Sequence, residues 1–326
     1  MVYDRKRDTI EHGIFSDIVA FLAPSDLLVR NDTRVLPARL EARKPSGGRV
    51  EVLLLAPVSE TDGSGMPYWE VWVRGRVTER LIFEGGARGR LSEEAGRKYI
   101  HFELPEGLDF HDFIARWGRT PLPPYILKKR GGGQVDPADS ERYQTVYARH
   151  GGSVAAPTAG LHFTEALLGR IQEKGVRVAS VTLHIGAATF QPIRAETLNA
   201  HVMHKERFKI SMETAGLFNT LHARNAGALR RGRVVAVGST VTRALESAIG
   251  ADGLLSACEG ETTLFITPGY TFQAVDALIT NFHLPRSTLL VLVSAFAGRD
   301  AVQRIYQEAI QKRYRFYSFG DAMLIV

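Results

Sequence analysis

Between residues 43 and 118 the chain carries five short runs rich in Val, Ile, Phe, Trp and Tyr: Val50–Leu55, Tyr68–Val73, Arg76–Phe83, Gly89–Leu91 and Lys98–Leu104. Gly, Pro and acidic turns separate them at about 10-residue spacing. That rhythm marks an all-β unit. The turn signal Pro45-Ser46-Gly47-Gly48 opens it, and Thr120-Pro-Leu-Pro-Pro-Tyr125 closes it, with three prolines stiffening the return crossing.

On either side the pattern differs. Leu27, Leu28 and Val29 form an apolar strand that runs into the polar turn Asn31-Asp32-Thr33-Arg34. From Tyr143 onward helical and extended patterns alternate. Thr164–Lys174 reads as a helix with Thr164 as N-cap and Gly175 at its stop. Val176–Ile185 reads as a strand and Met212–Gly227 as a helix. The buried strand Arg233–Val237 leads through Gly238-Ser239-Thr240 into a helix ending at Ala248. Thr262–Thr267 and Ser287–Ser294 are expected as strands, and Ala301–Tyr314 as a helix with apolar residues at helical spacing. The expected architecture is α/β, or α+β taken over both domains. A larger, discontinuous domain of residues 1–42 and 119–326 carries an inserted barrel-like domain of residues 43–118.

Composition narrows the function classes. Cys258 is the single cysteine, so no disulfide framework and no cysteine-based zinc site can form, and a reducing compartment is expected. Met1 to Arg7 is polar, with no signal-peptide core after it. The longest apolar run, Leu289–Ala297, is interrupted only by Ser294 and is too short to span a bilayer, which needs about 20 residues. A soluble cytoplasmic protein is expected. The net charge is +6, and its excess lies outside the β-rich insert, which holds 11 basic and 12 acidic residues in Arg43–Gly118. A mild basic excess suits a polyanionic partner without demanding one.

Several expected strands end in loops of small and polar residues: His184-Ile-Gly-Ala-Ala-Thr-Phe190, Gly238-Ser239-Thr240 and Thr267-Pro-Gly-Tyr270. Open α/β sheets bind ligands at such carboxyl ends, where helix N-termini converge. His162 precedes a helix N-terminus and His184 ends a strand, so either can serve as acid, base or hydrogen-bond donor. His201-x-x-His204 has a metal-compatible spacing, but exposed loop histidines are the better reading and no metal is expected. The chain has no nucleophile elbow, Walker loop or Rossmann glycine motif.

Longer motifs say more. They are Asn31-Asp-Thr-Arg-Val-Leu-Pro-Ala-Arg-Leu40, Tyr143-Gln-Thr-Val-Tyr147, Ser153-Val-Ala-Ala-Pro-Thr-Ala-Gly-Leu-His-Phe-Thr164 and Val181-Thr-Leu-His-Ile-Gly-Ala-Ala-Thr-Phe-Gln-Pro192. Arg243-Ala-Leu-Glu-Ser247, Val275-Asp-Ala-Leu-Ile-Thr-Asn-Phe-His-Leu-Pro285 and Tyr314-Arg-Phe-Tyr-Ser-Phe-Gly-Asp-Ala-Met323 continue the series. Together they closely resemble the S-adenosylmethionine:tRNA ribosyltransferase-isomerases of queuosine biosynthesis, over essentially the whole chain. The resemblance implies transfer of a ribosyl group from S-adenosylmethionine to 7-aminomethyl-7-deazaguanine at the tRNA wobble position. Epoxyqueuosine is formed, and adenine and methionine are released. It also implies an α/β domain with an inserted β-barrel. The family pattern usually has a further segment before the position of Met1, Asn at Asp32, Gly at Ala188 and Ser at Lys205. A second reading is therefore a homologue that binds RNA but has lost catalysis. A third, a methyltransferase using the same cofactor, lacks the expected glycine-rich loop.

The implied chemistry needs proton transfers at the substrate amine, beside the sulfonium and at the departing adenine. Histidine suits all three. His162, His184 and His283 are the candidates, with their individual roles open, and Glu246 is a candidate for the sulfonium or the ribose hydroxyls. Thr158, Gly186, Thr189, Phe190, Gly238, Ser239, Thr240 and Tyr270 are assigned to S-adenosylmethionine, with core packing the alternative for Phe190 and Tyr270. Asp276 and Asn281 are assigned to the deazaguanine edge. Lys128, Lys129, Arg130, Arg230, Arg231 and the neighbouring Arg233 are candidate tRNA phosphate contacts. A monomer is expected.

Overall fold

The computed structural model describes residues 1–59, 67–75, 80–129, 136, 138–186, 193, 195–225 and 232–326. The strands are β1 (Val2–Asp4), β2 (Thr9–Glu11), β3 (Leu27–Asn31), β4 (Thr33–Val35), β5 (Arg39–Arg43), β6 (Arg49–Ser59), β7 (Tyr68–Arg74), β8 (Arg80–Phe83) and β9 (Arg88–Glu94). They continue with β10 (Arg97–Glu103), β11 (His150–Ser153), β12 (Arg177–Leu183), β13 (Glu206–Ile210), β14 (Val234–Val237), β15 (Cys258–Thr262), β16 (Ala277–Asn281) and β17 (Ala322–Ile325). The helices are α1 (Ile18–Phe21), α2 (Phe110–Trp117), α3 (Pro124–Lys129), α4 (Asp139–Arg142), α5 (Glu165–Glu173), α6 (Met212–Asn225), α7 (Ser239–Ala248), α8 (Thr288–Ala297) and α9 (Arg299–Gln311).

The chain divides into two compact units. One comprises Met1–Thr33, Thr145–His150 and Pro157–Val326; the other comprises Arg34–Gln144 and Gly151–Ala156. The second unit is thus wider than the insert expected at 43–118. Its barrel begins with β5 at Arg39, and helices α2, α3 and α4 belong to the same unit.

The larger unit is built on a nine-stranded sheet in the order β15-β13-β12-β3-β14-β16-β17-β1-β2. Its centre, β12-β3-β14-β16, is parallel. Parallel strands covered on both faces need continuous apolar runs rather than alternation. The Val-Val-Ala-Val of β14 and the Ala-Leu-Ile-Thr-Asn of β16 are buried at every position. One core layer gathers Leu28, Val235, Val237, Ala277 and Ile279 from the strands with Phe163, Leu167, Leu168 and Ile171 from α5 and the turn before it.

The second unit contains a closed six-stranded barrel, β10-β7-β6-β5-β8-β9. Its strands alternate as a one-sided sheet must. Leu40, Ala42, Val50, Val52, Leu54, Val71, Leu81, Ile100 and Phe102 fill the interior.

Two expected strands are corrected. Ser287–Ser294 forms the first part of helix α8, not a strand. A short apolar run cannot be assigned by periodicity alone, so its ends decide. Ser287 Oγ accepts from Leu290 N at 3.2 Å, and Gly298 ends the helix at φ 89°, a conformation glycine adopts without a Cβ clash. Thr262–Thr267 is also not a strand. The pairing with β13 runs over Cys258–Thr262 and stops there. Beyond it the backbone is taken by side chains: Thr262 Oγ1 accepts from Leu264 N, and Leu264 O accepts from Arg243 Nε. Strands β1, β2, β13, β16 and β17 were not anticipated, and most are too short or too polar to show a period.

Replacing the α8 cap, Ser287→Ala, is expected to reduce stability by about 1 kcal/mol, whereas Ser287→Thr retains most of it. Urea unfolding at neutral pH, followed by helix signal, measures both.

Candidate active site

The four parallel strands end side by side. Their carboxyl ends carry Leu183 and His184 from β12, Asn31 from β3, Gly238 after β14 and Asn281 from β16. With strands about 4.8 Å apart, the row from β12 to β16 spans about 14 Å.

Asn31 organises the middle of this row. Its buried amide donates to Leu183 O (3.0 Å) and Thr240 Oγ1 (3.3 Å) and accepts from Leu183 N (3.0 Å) and Thr33 N (3.1 Å). One side chain thus ties the ends of β3 and β12 to the first turn of α7. Thr33, placed by that turn, has its hydroxyl 2.9 Å from His184 Nδ1. The neighbouring Asp32 is buried and accepts from Thr182 Oγ1 at 2.7 Å, and His150 Nε2 approaches its other oxygen at 3.8 Å. Burial lowers the His184 pKa, and His150 and Arg207 push it the same way, against Asp32. A neutral imidazole is therefore the resting form at pH 7.

Gly238 closes β14 at φ 90° and opens α7 with no side-chain cap. A Cβ there would sit 3.4 Å from Ala159 Cβ, so the turn Thr158–His162 lies directly over this glycine. The N–H groups of Ser239 and Thr240 begin a 10-residue helix and have no intrahelical partner.

At the β16 end, Asn281 bridges two residues of that turn. Its Oδ1 accepts from His162 Nε2 at 2.8 Å, and its Nδ2 donates to Thr158 Oγ1 at 3.0 Å. His162 stacks on Phe15, with ring centroids 5.0 Å apart. Burial lowers its pKa, partly offset by the Asn281 bond. The imidazole faces a cavity of about 300 Å³, lined also by Phe15, Ile279, Tyr314, Arg315 and Asp321. Beneath the same turn, the buried hydroxyls of Tyr147 and Thr145 find no hydrogen-bond partner among the described residues. Gly160 is obligatory above them, because a Cβ would fall 2.1 Å from the Tyr147 oxygen.

The other candidates lie elsewhere. Successive strand residues face opposite sides of a sheet. His283 Nε2 is 2.8 Å from Thr280 Oγ1, so it belongs to the face opposite Asn281 and His162, and its backbone N–H donates to the Tyr306 hydroxyl. Burial pushes its pKa down to about 4. Glu246 is seven residues into α7 from Ser239, about 10 Å along the helix axis. Its carboxylate accepts from Tyr270 OH and from the backbone N–H groups of Gln273, Ala274 and Val275, at 2.9–3.1 Å. Tyr270 is held at the same place, its pKa pushed up to about 12 by burial and by Glu246.

Asp276 precedes β16, about 17 Å along the strand from Asn281. Its carboxylate accepts from Val234 N, and burial raises its pKa. Arg233 is committed to the fully buried Asp26 at 2.7 Å. Gly186 lies past the end of β12, and its N–H donates to Glu206, which forms a buried ion pair with Arg243. Lys128 is exposed in α3. Thr189, Phe190, Arg130, Arg230, Arg231 and the Lys129 side chain lie outside the described residues. Among the described residues no group of three or more His, Cys, Asp or Glu side chains could hold a metal ion, and no helix is long and apolar enough to cross a membrane.

Residues 1–325 match the family described as queuosine biosynthesis protein. The chain belongs to that family. The S-adenosylmethionine:tRNA ribosyltransferase-isomerase of Geobacter sulfurreducens is 50% identical over 329 residues, which cover 100% of this chain and 92% of the relative. The enzyme of the same name from Halothermothrix orenii is 49% identical, with the same coverage. The crystal structure of an S-adenosylmethionine tRNA ribosyltransferase from Thermotoga maritima is 35% identical, with a TM-score of 0.52, covering 100% of this chain and 91% of that one.

Within this family fold, the residues that meet at the sheet's carboxyl edge are Thr158, His162, His184, Gly238, Thr240 and Asn281. The sequence reading assigned no site role to Asn31, Asp32, Thr33, Tyr147 or His150. For the first three the one local signal is a polar Asn-Asp-Thr directly after an apolar strand, which does not say which side chain turns inward.

The lowered histidine pKa values carry a stability consequence. Between about pH 6.5 and 4 the unfolded chain binds a proton at His283 that the folded chain refuses. Stability is therefore full above about pH 6.5 and falls as the pH approaches 4, with His162 and His184 acting in the same direction. His283→Gln is expected to flatten this decline, which urea unfolding at a series of pH values from 7 to 4 reads directly. An unaltered acid limb would show that another group drives it.

Proposed function

We propose that this chain transfers and isomerises the ribosyl group of S-adenosylmethionine onto 7-aminomethyl-7-deazaguanine at the wobble position of tRNA. The products are epoxyqueuosine-tRNA, adenine and methionine. One observation carries the reading: relatives named for this ribosyl transfer and isomerisation align across the full length of the chain at up to 50% identity. The strand-end geometry supports it, since two histidines with lowered pKa values stand at opposite ends of a row of ligand-sized length.

S-adenosylmethionine is a substrate here. The uncapped start of α7 at Gly238, Ser239 and Thr240 suits a carboxylate or ribose hydroxyls, because its N–H groups have no helical partner. The substrate amine resembles a lysine, so only roughly one molecule in a thousand is neutral at pH 7. A neutral imidazole must take its proton, and His184, oriented by Thr33, is in the form to do so. His162 donates Nε2–H to Asn281 and keeps Nδ1 as its acceptor. Its Nδ1 serves as the second base, taking the proton beside the sulfonium, and the imidazolium so formed can pass a proton to the departing adenine. Glu246 acts as a positioning residue that holds residues 270–275 against α7. The enzyme works in the cytoplasm, as a monomer and without a metal. Its remaining tRNA contacts include Lys128, Lys129, Arg130, Arg230 and Arg231.

Isotopic label tests the reaction class. With tRNA carrying the aminomethyl base, ribose label from S-adenosylmethionine should enter tRNA, while methyl label leaves with methionine and adenine appears in equal amount. Methyl label in tRNA would make the chain a methyltransferase, and tRNA binding without adenine release would make it a non-catalytic homologue. His184→Gln is expected to lower kcat by about 100-fold or more, the usual contribution of a general base, with the fold's melting temperature little changed.

A further inference from the structure

The outer face of the barrel carries an arrangement that the reaction at the sheet edge does not use. The β5–β6 register sets Arg43 directly opposite Arg49, and the β5–β8 register sets Ile82 on the other side of Arg43. The β6–β7 register sets Arg74 opposite Glu51, and Trp72 follows two residues along on the same face. Like charges directly opposed across strands are unfavourable, so a folded barrel gains nothing from the Arg43–Arg49 pair.

The nearby carboxylates do not neutralise these arginines. Glu41 pairs with Arg119 at 2.9 Å and Glu51 with Arg39 at 2.8 Å. Among the described residues Arg43, Arg49 and Arg74 enter no ion pair, and all three are exposed. They line a surface concavity of about 520 Å³, with Glu84 the remaining carboxylate on its rim. Beside it Trp72 is 49% exposed. Among the described residues the face thus sets three guanidiniums without an ion pair against one carboxylate, Glu84, beside an available aromatic ring. Guanidinium forks match phosphate oxygens two at a time, and an exposed indole stacks on any base.

We propose that this barrel face is a tRNA contact surface, with Arg43, Arg49 and Arg74 on backbone phosphates and Trp72 on an unstacked base or ribose. The inference rests on the functional reading above, which supplies tRNA as the polyanion; charge complementarity selects the face.

The test uses the full chain with all three arginines changed, R43Q/R49Q/R74Q, and tRNA carrying the aminomethyl base. Affinity is measured between 50 and 300 mM salt. The triple variant should bind at least about tenfold more weakly at the low-salt end. Its log–log salt slope should be shallower by about 2–3, since each phosphate contact contributes about 0.9. The rate at saturating tRNA and the KM for S-adenosylmethionine should stay within about twofold, and the melting temperature should hold. Titrating wild type with tRNA should quench tryptophan fluorescence, and Trp72→Phe should remove most of that quench. A well-folded triple variant with wild-type affinity and slope overturns the proposal and leaves the face to an acidic protein. A quench that survives Trp72→Phe overturns the stacking role. A wild-type protein that binds no tRNA overturns this inference together with the functional reading, whereas normal turnover with unchanged variant binding overturns this inference alone.

Discussion

The buried amide of Asn31 bonds in four directions at once, to both backbone groups of Leu183, to Thr33 and to the Thr240 hydroxyl. Asparagine is one of the few side chains that can do this, because it presents two donors and two acceptor lone pairs on a rigid plane. Every bond it makes is to a residue of the candidate site or to the strand that delivers one. Thr33 takes its orientation from this amide, and His184 takes its partner from Thr33. Hydrophobic burial brings β12, β3, β14 and β16 together, but it is indifferent to register at their ends. The polar pins supply that register, Asn31 at one end of the row and Asn281 at the other.

The contrast between Asn281 and Glu246 shows why residue type alone misleads. Both are buried polar groups with all or most of their hydrogen-bonding capacity used. Asn281 spends its bonds on Thr158 and on His162, which borders a cavity. Glu246 spends its bonds on three consecutive backbone N–H groups and a tyrosine, which is how a buried carboxylate braces a loop. A glutamate in a motif suggests charge chemistry, yet its position two turns into α7 takes it away from the strand ends. Sequence spacing along a helix contains that distance, but only if the site is already known to lie at the helix start.

The barrel was legible because period-two alternation and regularly spaced turns admit few other solutions, and the alternation of β5, β7, β8 and β10 keeps to it. The strand-to-helix turn at Gly238 was legible for a similar reason. Helix α8 was not, because its ten residues are apolar all round and length and periodicity leave strand and helix equally open. The division of the histidines was not legible either. His162 and His283 lie near β16 through Asn281 and Thr280, adjacent residues whose side chains face opposite ways, and a one-residue difference in strand parity separates a cleft from a packed interior. A bare sequence does not state where a strand begins its count.

The two units are interleaved along the chain, and this bears on how the protein emerges from the ribosome. Strand β3 is complete by residue 31, yet its two neighbours in the sheet start at residues 177 and 234. Strand β1 can pair at once with β2, but its other neighbour, β17, arrives only at 322–325. The barrel, by contrast, has all its strands by residue 103. At about 5–20 residues per second, the central strand spends roughly ten seconds or more without a partner, its Leu27-Leu28-Val29 run exposed. During that interval the barrel already has its full set of strands. The two units therefore differ in kind during synthesis: the inserted one closes on contiguous chain, whereas the sheet around β3 is completed only by strands that lie beyond the insert.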